Sequence, residues 1–308
     1  MKTMQCNSMR SQPLLIPAQA PQPQPQAGQL LIRVHAAGVT SPELDWYPTT
    51  HTQSGQPRPN AVPGHEFSGT VAALGPNAQG FEVGQAVYGM NDWFADGATA
   101  EFCLATPGSI TAKPASLSHE EAATVPISAL TAWQGLLDRA KIQPGESVLI
   151  QGGAGAVGIF AVQLAHLHGA CILATASAGK LDFLKQLGAD QAIDYRSSRL
   201  EDEISKVDIV FDTVGGETLE HSWNLLKPGG RMVTIASDSG ASTDPRIKDA
   251  FFIVEPKQDQ LAAIARLIDS GKLRTFVNAV VPLDRAAEAY NGAARDRSRP
   301  GKMVVSVS

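Results

Sequence analysis

Two short stretches carry residue types that can do chemistry. The first is Gly64-His65-Glu66 within VPGHEFSG, where a glycine turn presents an imidazole beside a carboxylate. Such a pair can donate two ligands to a metal, or it can hydrogen-bond to backbone or to itself and hold a local wall in place. A catalytic zinc needs three protein ligands and an open fourth position, so Asp45, His51 or Cys103 would have to complete a makeshift site. The second is Gly153-Ala154-Gly155-Ala156-Val157-Gly158, a complete G-x-G-x-x-G. Glycines at that spacing permit a tight turn, close approach of backbone to a pyrophosphate and close packing of the next helix, whose N-terminus faces the anion. The motif alone is weak. Its weight here comes from context, with strand-like SVLIQGG before it, the apolar helix AVGIFAVQLAHLHG after it, and a second strand, CILATAS, beyond.

The end of that second strand reads out the nucleotide. An NAD site places Asp or Glu about twenty residues past the glycines to bond the ribose 2′-hydroxyl. This chain has Ala176-Ser177-Ala178 there, and Asp182 comes one turn into the next helix, where it reads as a solvated face. Small neutral residues followed by Lys180 leave room for a 2′-phosphate and a charge to meet it, which favours NADP(H). Lys180 reads equally as an ordinary surface lysine.

The surrounding elements must position these residues. With 308 residues, 43% of them hydrophobic and 18% charged, the chain has a soluble globular composition and length for about two domains. A net charge of -5 and the lack of a long basic run argue against a nucleic-acid or anionic-membrane partner. The opening MKTMQCNSMRSQPLL contains neither a secretory apolar region nor a membrane span, so a cytoplasmic protein is expected. Cys6, Cys103 and Cys171 lie far apart, giving neither a disulfide framework nor a zinc-knuckle spacing. The proline-rich residues 17–28 are expected to run extended over the surface into the strand QLLIRVHAAGV. Short strand-like runs separated by Gly, Pro and Asn turns then continue to about residue 123, predicting a barrel-like β domain with few helices.

From residue 124 the pattern alternates. After the first βαβ unit come the helix KLDFLKQLGA, the strands AIDY and VDIVFDTVG, a helix over 217–226, a KPGGR turn and the strand RMVTIAS. This predicts an α/β class with a doubly wound parallel sheet. The tail, with a helix at QDQLAAIARLIDSG, β-like FVNAVVP and KMVVSV, and a helix over 283–294, is assigned back to the β domain. The expected domains are 1–124 with 257–308, and 125–256.

With both halves in view, AAGVTSPELDW, VPGHEFSG, VGQAVYGM, KPASLSHEEAATVPISALTAWQGL, the glycine turn, LGADQAIDY, VFDTVGGETL and LKPGGRMV resemble a medium-chain dehydrogenase/reductase across almost the whole chain from Gln29. Within that superfamily the chain is most similar to the zinc-free quinone oxidoreductase, or zeta-crystallin-like, branch. The resemblance implies a GroES-like β-barrel domain joined to a Rossmann domain, NADPH held between the two, and dimers or tetramers. A homodimer is expected, with FFIV as an edge for sheet continuation. The first fifteen residues depart from the family's longer opening hairpin.

The glycine turn sets Gly153, Gly155, Ala156, Val157 and Gly158 at the pyrophosphate, and, carried over by position, the resemblance assigns Ser177, Lys180 and Tyr195 to the 2′-phosphate. It places Thr131 near the nicotinamide and Val214, Gly215, Ser237, Phe252 and Val254 along the cofactor. Tyr195 can instead cap a strand as a packed aromatic, and each of the others can be packing. Their joint place at the carboxyl ends of strands is what binds ligands in open α/β sheets.

Zinc-dependent relatives carry a cysteine where this chain has Thr40, and a third ligand where it has VPISALTAW, which lacks Cys, Asp, His and Glu. The four clustered cysteines of a structural-zinc lobe are also missing. No metal is therefore expected, and the acceptor oxygen that becomes negative on hydride transfer must be met by hydroxyl or amide donors and the nicotinamide ribose hydroxyl, with water supplying the final proton. Thr40, Ser41 and Tyr47 are the candidates, with Asp45 to position a water or a donor; Asp45 can equally cap the local turn and Tyr47 pack at the surface. A quinone or α,β-unsaturated carbonyl suits such a site better than an alcohol, whose alkoxide zinc normally stabilises. The alternatives are a zinc-type alcohol dehydrogenase with unusual ligands, an enoyl reductase of the same superfamily, and an NADPH-binding sensor with little turnover.

Overall fold

The structure, a computed structural model, describes residues 1–7, 14–196, 200–236, 239–240 and 242–307. The chain forms two compact units, one of Met1–Ile127, Pro256–Gly271 and Thr275–Ser308, the other of Ser128–Glu255 and Lys272–Arg274. Its strands in chain order are Lys2–Asn7 (β1), Leu14–Gln19 (β2), Leu30–Gly38 (β3), Glu66–Leu74 (β4), Ala86–Met90 (β5), Phe102–Ala105 (β6), Ile110–Ala112 (β7), Ser147–Gln151 (β8), Cys171–Ala176 (β9), Gln191–Asp194 (β10), Val207–Asp212 (β11), Leu226–Thr234 (β12), Val277–Pro282 (β13) and Lys302–Ser306 (β14).

The first unit is built on a seven-stranded sheet in the order β13-β14-β3-β4-β5-β7, with β6 also pairing β3. β3 is its spine because Leu30, Ile32 and Val34 put one apolar face into the core while Leu31 is buried on the other. Gly69 lets β4 press against it, since a Cβ there would stand 2.2 Å from the Arg33 carbonyl oxygen. Phe67, Val87, Ile110, Tyr290 and Val305 close the same core. The tail returns here through β13 and β14, with β14 antiparallel to β3. β1 and β2 form a two-stranded antiparallel hairpin, and the proline-rich segment after β2 has no regular structure until β3.

The second unit is a five-stranded, all-parallel sheet in the order β10-β9-β8-β11-β12. Strand order reverses between β8 and β11, the place where such sheets open a ligand crevice at their carboxyl ends. The helix Ala156–Leu167 is apolar almost all round and buries Ile159, Phe160, Val162 and Leu164, as a helix enclosed in a domain core should.

Four expectations change. KPGGR lies inside β12 rather than forming a turn: Val207 pairs with Leu226 but Ile209 with Arg231, so the extra residues bulge out, with Gly229 at φ 77°. The helix expected over 217–226 is Gly216–Ser222 followed by the 3-10 turn Trp223–Leu225, because the chain there must already turn into β12. That expected over 283–294 is the 3-10 turn Leu283–Arg285 and the short helix Ala286–Tyr290, after which Gly292 takes φ 76°. FFIV is not an edge strand. β12 ends at Thr234, so only the bridge from Thr234 to Phe251 forms, and β12 itself is the sheet's edge.

Candidate functional site

The glycine turn follows the carboxyl end of β8 and is stitched to β9. Gly153 N donates to the Thr175 carbonyl at 2.8 Å, and Gly152 N donates to the Thr175 hydroxyl at 3.0 Å. That hydroxyl donates to Gln151 Oε1 at 2.8 Å, and Gln151 Nε2 donates to Ser222 Oγ at 3.0 Å. The buried polar chain fixes the turn from beneath. Gly158 has to be glycine, because a Cβ would lie 2.2 Å from the Gly152 carbonyl oxygen; on Gly153 it would meet Ala174 and Leu184 side chains at 3.0 Å. Gly155 caps the helix without any side-chain bond to its first N–H groups, leaving them, with Ala156 and Val157, to an anionic ligand. These residues fit a dinucleotide pyrophosphate.

The other residues assigned to the nucleotide divide into three groups. Ser177, Lys180 and Tyr195 come together: Lys180 N donates to the Ser177 carbonyl at 2.8 Å, and Tyr195 N donates to the Ala176 carbonyl at 3.3 Å. Tyr195 is 52% exposed, so it does not serve as a packed cap. The guanidinium of Arg196 stacks 5.1 Å from its ring centroid, adding a cation that sequence reasoning missed; the signal available was simply a basic residue after the third strand. Val214 and Gly215 follow β11, with their N–H groups held by the buried Asp212 carboxylate at 3.2 Å each. Thr131 is buried within the helix Pro126–Trp133, and Phe252 and Val254 bury their side chains. Ser237 lies outside the described residues.

The first unit holds a second polar centre. His65 is 1% exposed, and its Nδ1 makes a short contact with Oε1 of the fully buried Glu43. The same oxygen accepts from Gly64 N at 2.7 Å and His65 N at 3.1 Å. Trp93 tilts against the imidazole at 5.2 Å and Trp46 meets Trp93 edge-on at 5.5 Å, giving the site an aromatic wall. Thr40 Oγ1, Glu43 Oε2, His65 Nε2 and Asn91 Oδ1 are buried and have no partner among the described residues. Buried polar atoms normally find partners, so these four are exceptions in this unit.

Thr40 Oγ1 is one of these buried atoms. Asp45 and Tyr47 are exposed, and Tyr47 stacks on His51 at 4.7 Å. The acid that reaches the histidine is Glu43. Its sequence signal, Thr40-Ser41-Pro42-Glu43, has the spacing of a capping box, yet Thr40 makes no side-chain cap bond on the 3-10 turn Ser41–Asp45. The glutamate turns inward instead. Glu66 is also fully buried, its Oε1 in a short contact with Lys302 Nζ and its Oε2 accepting from Ile127 N at 3.0 Å. Burial pushes its carboxyl up, against the opposing pull of Lys302.

An imidazole held by a carboxylate at Nδ1 with Nε2 open is how a zinc-ligating histidine is oriented. The other donors do not complete a site. Thr40 offers a hydroxyl, Glu66 is committed to Lys302 and backbone, and burial pushes the Cys6 thiol up to about 12, away from the thiolate that zinc binds. No group of three or more His, Cys, Asp or Glu side chains among the described residues is placed to hold a metal.

Residues 26–134 match the alcohol dehydrogenase GroES-like domain and residues 187–305 the zinc-binding dehydrogenase family. The chain is 33% identical over 306 residues to a protein from Arthroderma benhamiae described as a probable zinc-binding oxidoreductase, mitochondrial, covering 93% of this chain and 91% of the relative. It is 32% identical over 293 residues to the chloroplastic NADPH-dependent alkenal/one oxidoreductase of Arabidopsis thaliana, covering 92% and 73%. The structure of the quinone oxidoreductase from Coxiella burnetii superposes with a TM-score of 0.88 at 29% identity, covering 100% of this chain and 99% of the other. No helix among the described residues is long and apolar enough to cross a membrane. With a doubly wound sheet carrying a nucleotide turn, a β unit carrying the Gly-His-Glu centre, and relatives that match both, the chain belongs to the medium-chain dehydrogenase/reductase superfamily.

Proposed function

We propose that the protein is an NADPH-dependent reductase of quinones or α,β-unsaturated carbonyls that works without zinc. The observation that carries this reading is the composition of the buried centre: a hydroxyl at Thr40 and an imidazole at His65, locked by Glu43, where a metal site would need further ligands. NADPH supplies a hydride when bound. Thr40 Oγ1 is a donor that can meet the oxygen on which charge develops, and a preorganised donor in a water-poor site is worth most at that moment. His65, oriented through Nδ1 by Glu43, relays at Nε2 the proton that completes the reduction. Conjugation already lowers the barrier to hydride addition, so such donors suffice where alcohol chemistry would call for a Lewis acid.

NADPH rather than NADH is favoured by the acid-free end of β9, by Lys180 in the turn that follows it and by Arg196 stacked on Tyr195. The relative named for NADPH-dependent alkenal/one reduction and the quinone oxidoreductase fold support the same acceptor class. The test is oxidation of NADPH and NADH against ortho-quinones, para-quinones and 2-alkenals, with and without chelator. Turnover that prefers NADPH and ignores chelator is expected. Loss of activity on chelation, with recovery on added zinc, overturns the metal-free mechanism, and absence of turnover across the panel overturns the reductase reading.

A further inference from the structure

Beside the polar chain beneath the glycine turn, the second unit buries a carboxylate that the proposed reaction does not use. Asp212 is the last residue of β11 and has no solvent exposure. Its Oδ1 accepts from Val214 N and Gly215 N at 3.2 Å each, and its Oδ2 accepts from Gly215 N at 3.1 Å and from the Thr234 hydroxyl at 2.7 Å. Thr234 ends β12. Its Oγ1 in turn accepts from Ala236 N at 3.2 Å, while Ile235 N donates to the Asp212 carbonyl at 3.2 Å. One carboxylate therefore holds the turns that leave two neighbouring strands.

Strand pairing alone does not require this. The ladder between β11 and β12 ends at Asp212 and Thr234, and beyond it the N–H groups of Val214, Gly215 and Ala236 are met by side chains rather than by a neighbouring strand. Backbone donors aimed at a buried carboxylate are fixed in direction, because charge-assisted bonds are the strong ones. Gly215 takes φ 82°, a value glycine adopts without strain. The Thr213 hydroxyl donates to the Gln151 carbonyl at 2.8 Å, tying the same turn to the strand that feeds the glycine turn. So held, the turn presents Val214 outward, 54% exposed, beyond the carboxyl end of β11, where open α/β sheets bind ligands.

We propose that Asp212 is a positioning residue for the nicotinamide half of the dinucleotide, acting through the turns after β11 and β12. The proposal rests on the reading of this crevice as an NADPH site. The residues assigned to the 2′-phosphate follow β9 and β10, and the glycine turn assigned to the pyrophosphate follows β8. In the order β10-β9-β8-β11-β12, the adenosine half then takes one flank of the glycine turn and the nicotinamide half is left the other, at β11 and β12. Turns already ordered on that flank spare the ligand the cost of ordering them on binding.

Calorimetric titration of the full chain with NADPH and, separately, with adenosine 2′,5′-bisphosphate, which carries the adenosine half alone, tests the two flanks apart. Asp212→Asn sets an amide N–H against donors that a carboxylate oxygen had met, so the Kd for NADPH should rise about tenfold. The Kd for the bisphosphate should stay at the parent value, which also reports that the second unit is folded. Thr234→Val removes the hydroxyl bonded to Oδ2 and should raise the NADPH Kd about threefold, whereas Thr234→Ser keeps a hydroxyl and should bind both probes as the parent does. If Asp212→Asn does not fold, the two threonine variants decide. Equal weakening of both probes gives Asp212 a structural role only and overturns the proposal, as does parent affinity for NADPH in both Asp212→Asn and Thr234→Val. A parent chain that binds neither probe overturns the NADPH reading itself and this proposal with it; a parent that binds both, with variants that bind both equally well, overturns this proposal alone.

Discussion

Removing the Glu43 carboxylate should damage the first unit far more than removing Asp45, two residues later. Oε1 of Glu43 accepts from Gly64 N at 2.7 Å and His65 N at 3.1 Å and contacts His65 Nδ1, all in a site closed to solvent. Glu43→Ala would leave these three donors buried and unpaired. Each such loss costs about 1–3 kcal/mol, but the three share one acceptor and are not additive, so about 3–5 kcal/mol is expected in total. At about 2–4 °C per kcal/mol for a domain of this size, the thermal midpoint should fall by about 10 °C. Glu43→Gln keeps an acceptor oxygen for the backbone and should lose about 1–3 kcal/mol. Because the histidine is then no longer held against a charge, kcat should drop by about a hundredfold, while the KM for the nicotinamide cofactor should stay unchanged. Asp45→Ala, on an exposed side chain, should remain within about 0.5 kcal/mol of the parent. Thermal and urea unfolding with steady-state kinetics check all three. An alanine at 43 as stable as the parent, or an alanine at 45 that costs more, would refute the assignment of Glu43 as the group that holds His65.

Gly158→Ala places a methyl 2.2 Å from the Gly152 carbonyl oxygen, so the turn must shift; NADPH affinity should fall by about tenfold or more, read by fluorescence titration, with far-ultraviolet circular dichroism unchanged. Arg196→Ala and Lys180→Ala should each raise the KM for NADPH by about tenfold and leave that for NADH alone, since only the former carries a 2′-phosphate; equal effects on both cofactors would remove these residues from that role. His119, stacked at 4.3 Å on His35, has its pKa lowered from 6.5 to about 4, first by burial and then by His35 and Lys113, against Glu120; His35 is lowered by burial and Arg33. The folded pKa lies below the unfolded one, so this contribution is full above pH 6.5 and is lost as pH falls from there toward 4. Discounted for solvent screening of a half-buried ring, it amounts to about 1 kcal/mol; His119→Gln should flatten the fall in urea midpoint between neutral pH and pH 5.

The sequence is most legible where local pattern and tertiary demand agree. β8, the helix Ala156–Leu167 and β9 lie where their apolar periodicity and glycine signals put them, because in a buried parallel sheet the strand must be apolar on both faces and only glycine can make the turn. Legibility fails where an element depends on a neighbour's length. FFIV has strand composition, and Phe252 and Val254 alternate with the 65% exposed Ile253 as an edge strand would. A strand exists only through its partner's hydrogen bonds, though, and β12 stops at Thr234, leaving a single bridge. KPGGR fails for the converse reason: its turn composition is accommodated as a bulge, because β11 holds the chain in register on either side.

The Gly-His-Glu triplet shows why candidate chemistry is harder to read than the fold. As adjacent residues, His65 and Glu66 look like a pair of ligands. In the folded chain they face different partners: the imidazole meets Glu43 across 22 residues, and the carboxylate meets Lys302 across 236. A motif fixes which atoms are offered, and the contacts made elsewhere in the chain decide which of them remain open. Glu66 is drawn into holding β4 against the tail strand β14, whereas His65 keeps one nitrogen uncommitted among the described residues. Glu43 was hidden because its spacing from Thr40 reads as a helix cap, a solvent-facing role; only packing against Gly64 and His65 turns it into a buried acceptor. The same reasoning separates the two acids of that segment. Asp45 lies at the exposed end of the turn, where water solvates it fully, so it has little energy to gain from orienting anything, whereas a carboxylate with no solvent exposure must bind donors or lose its charge.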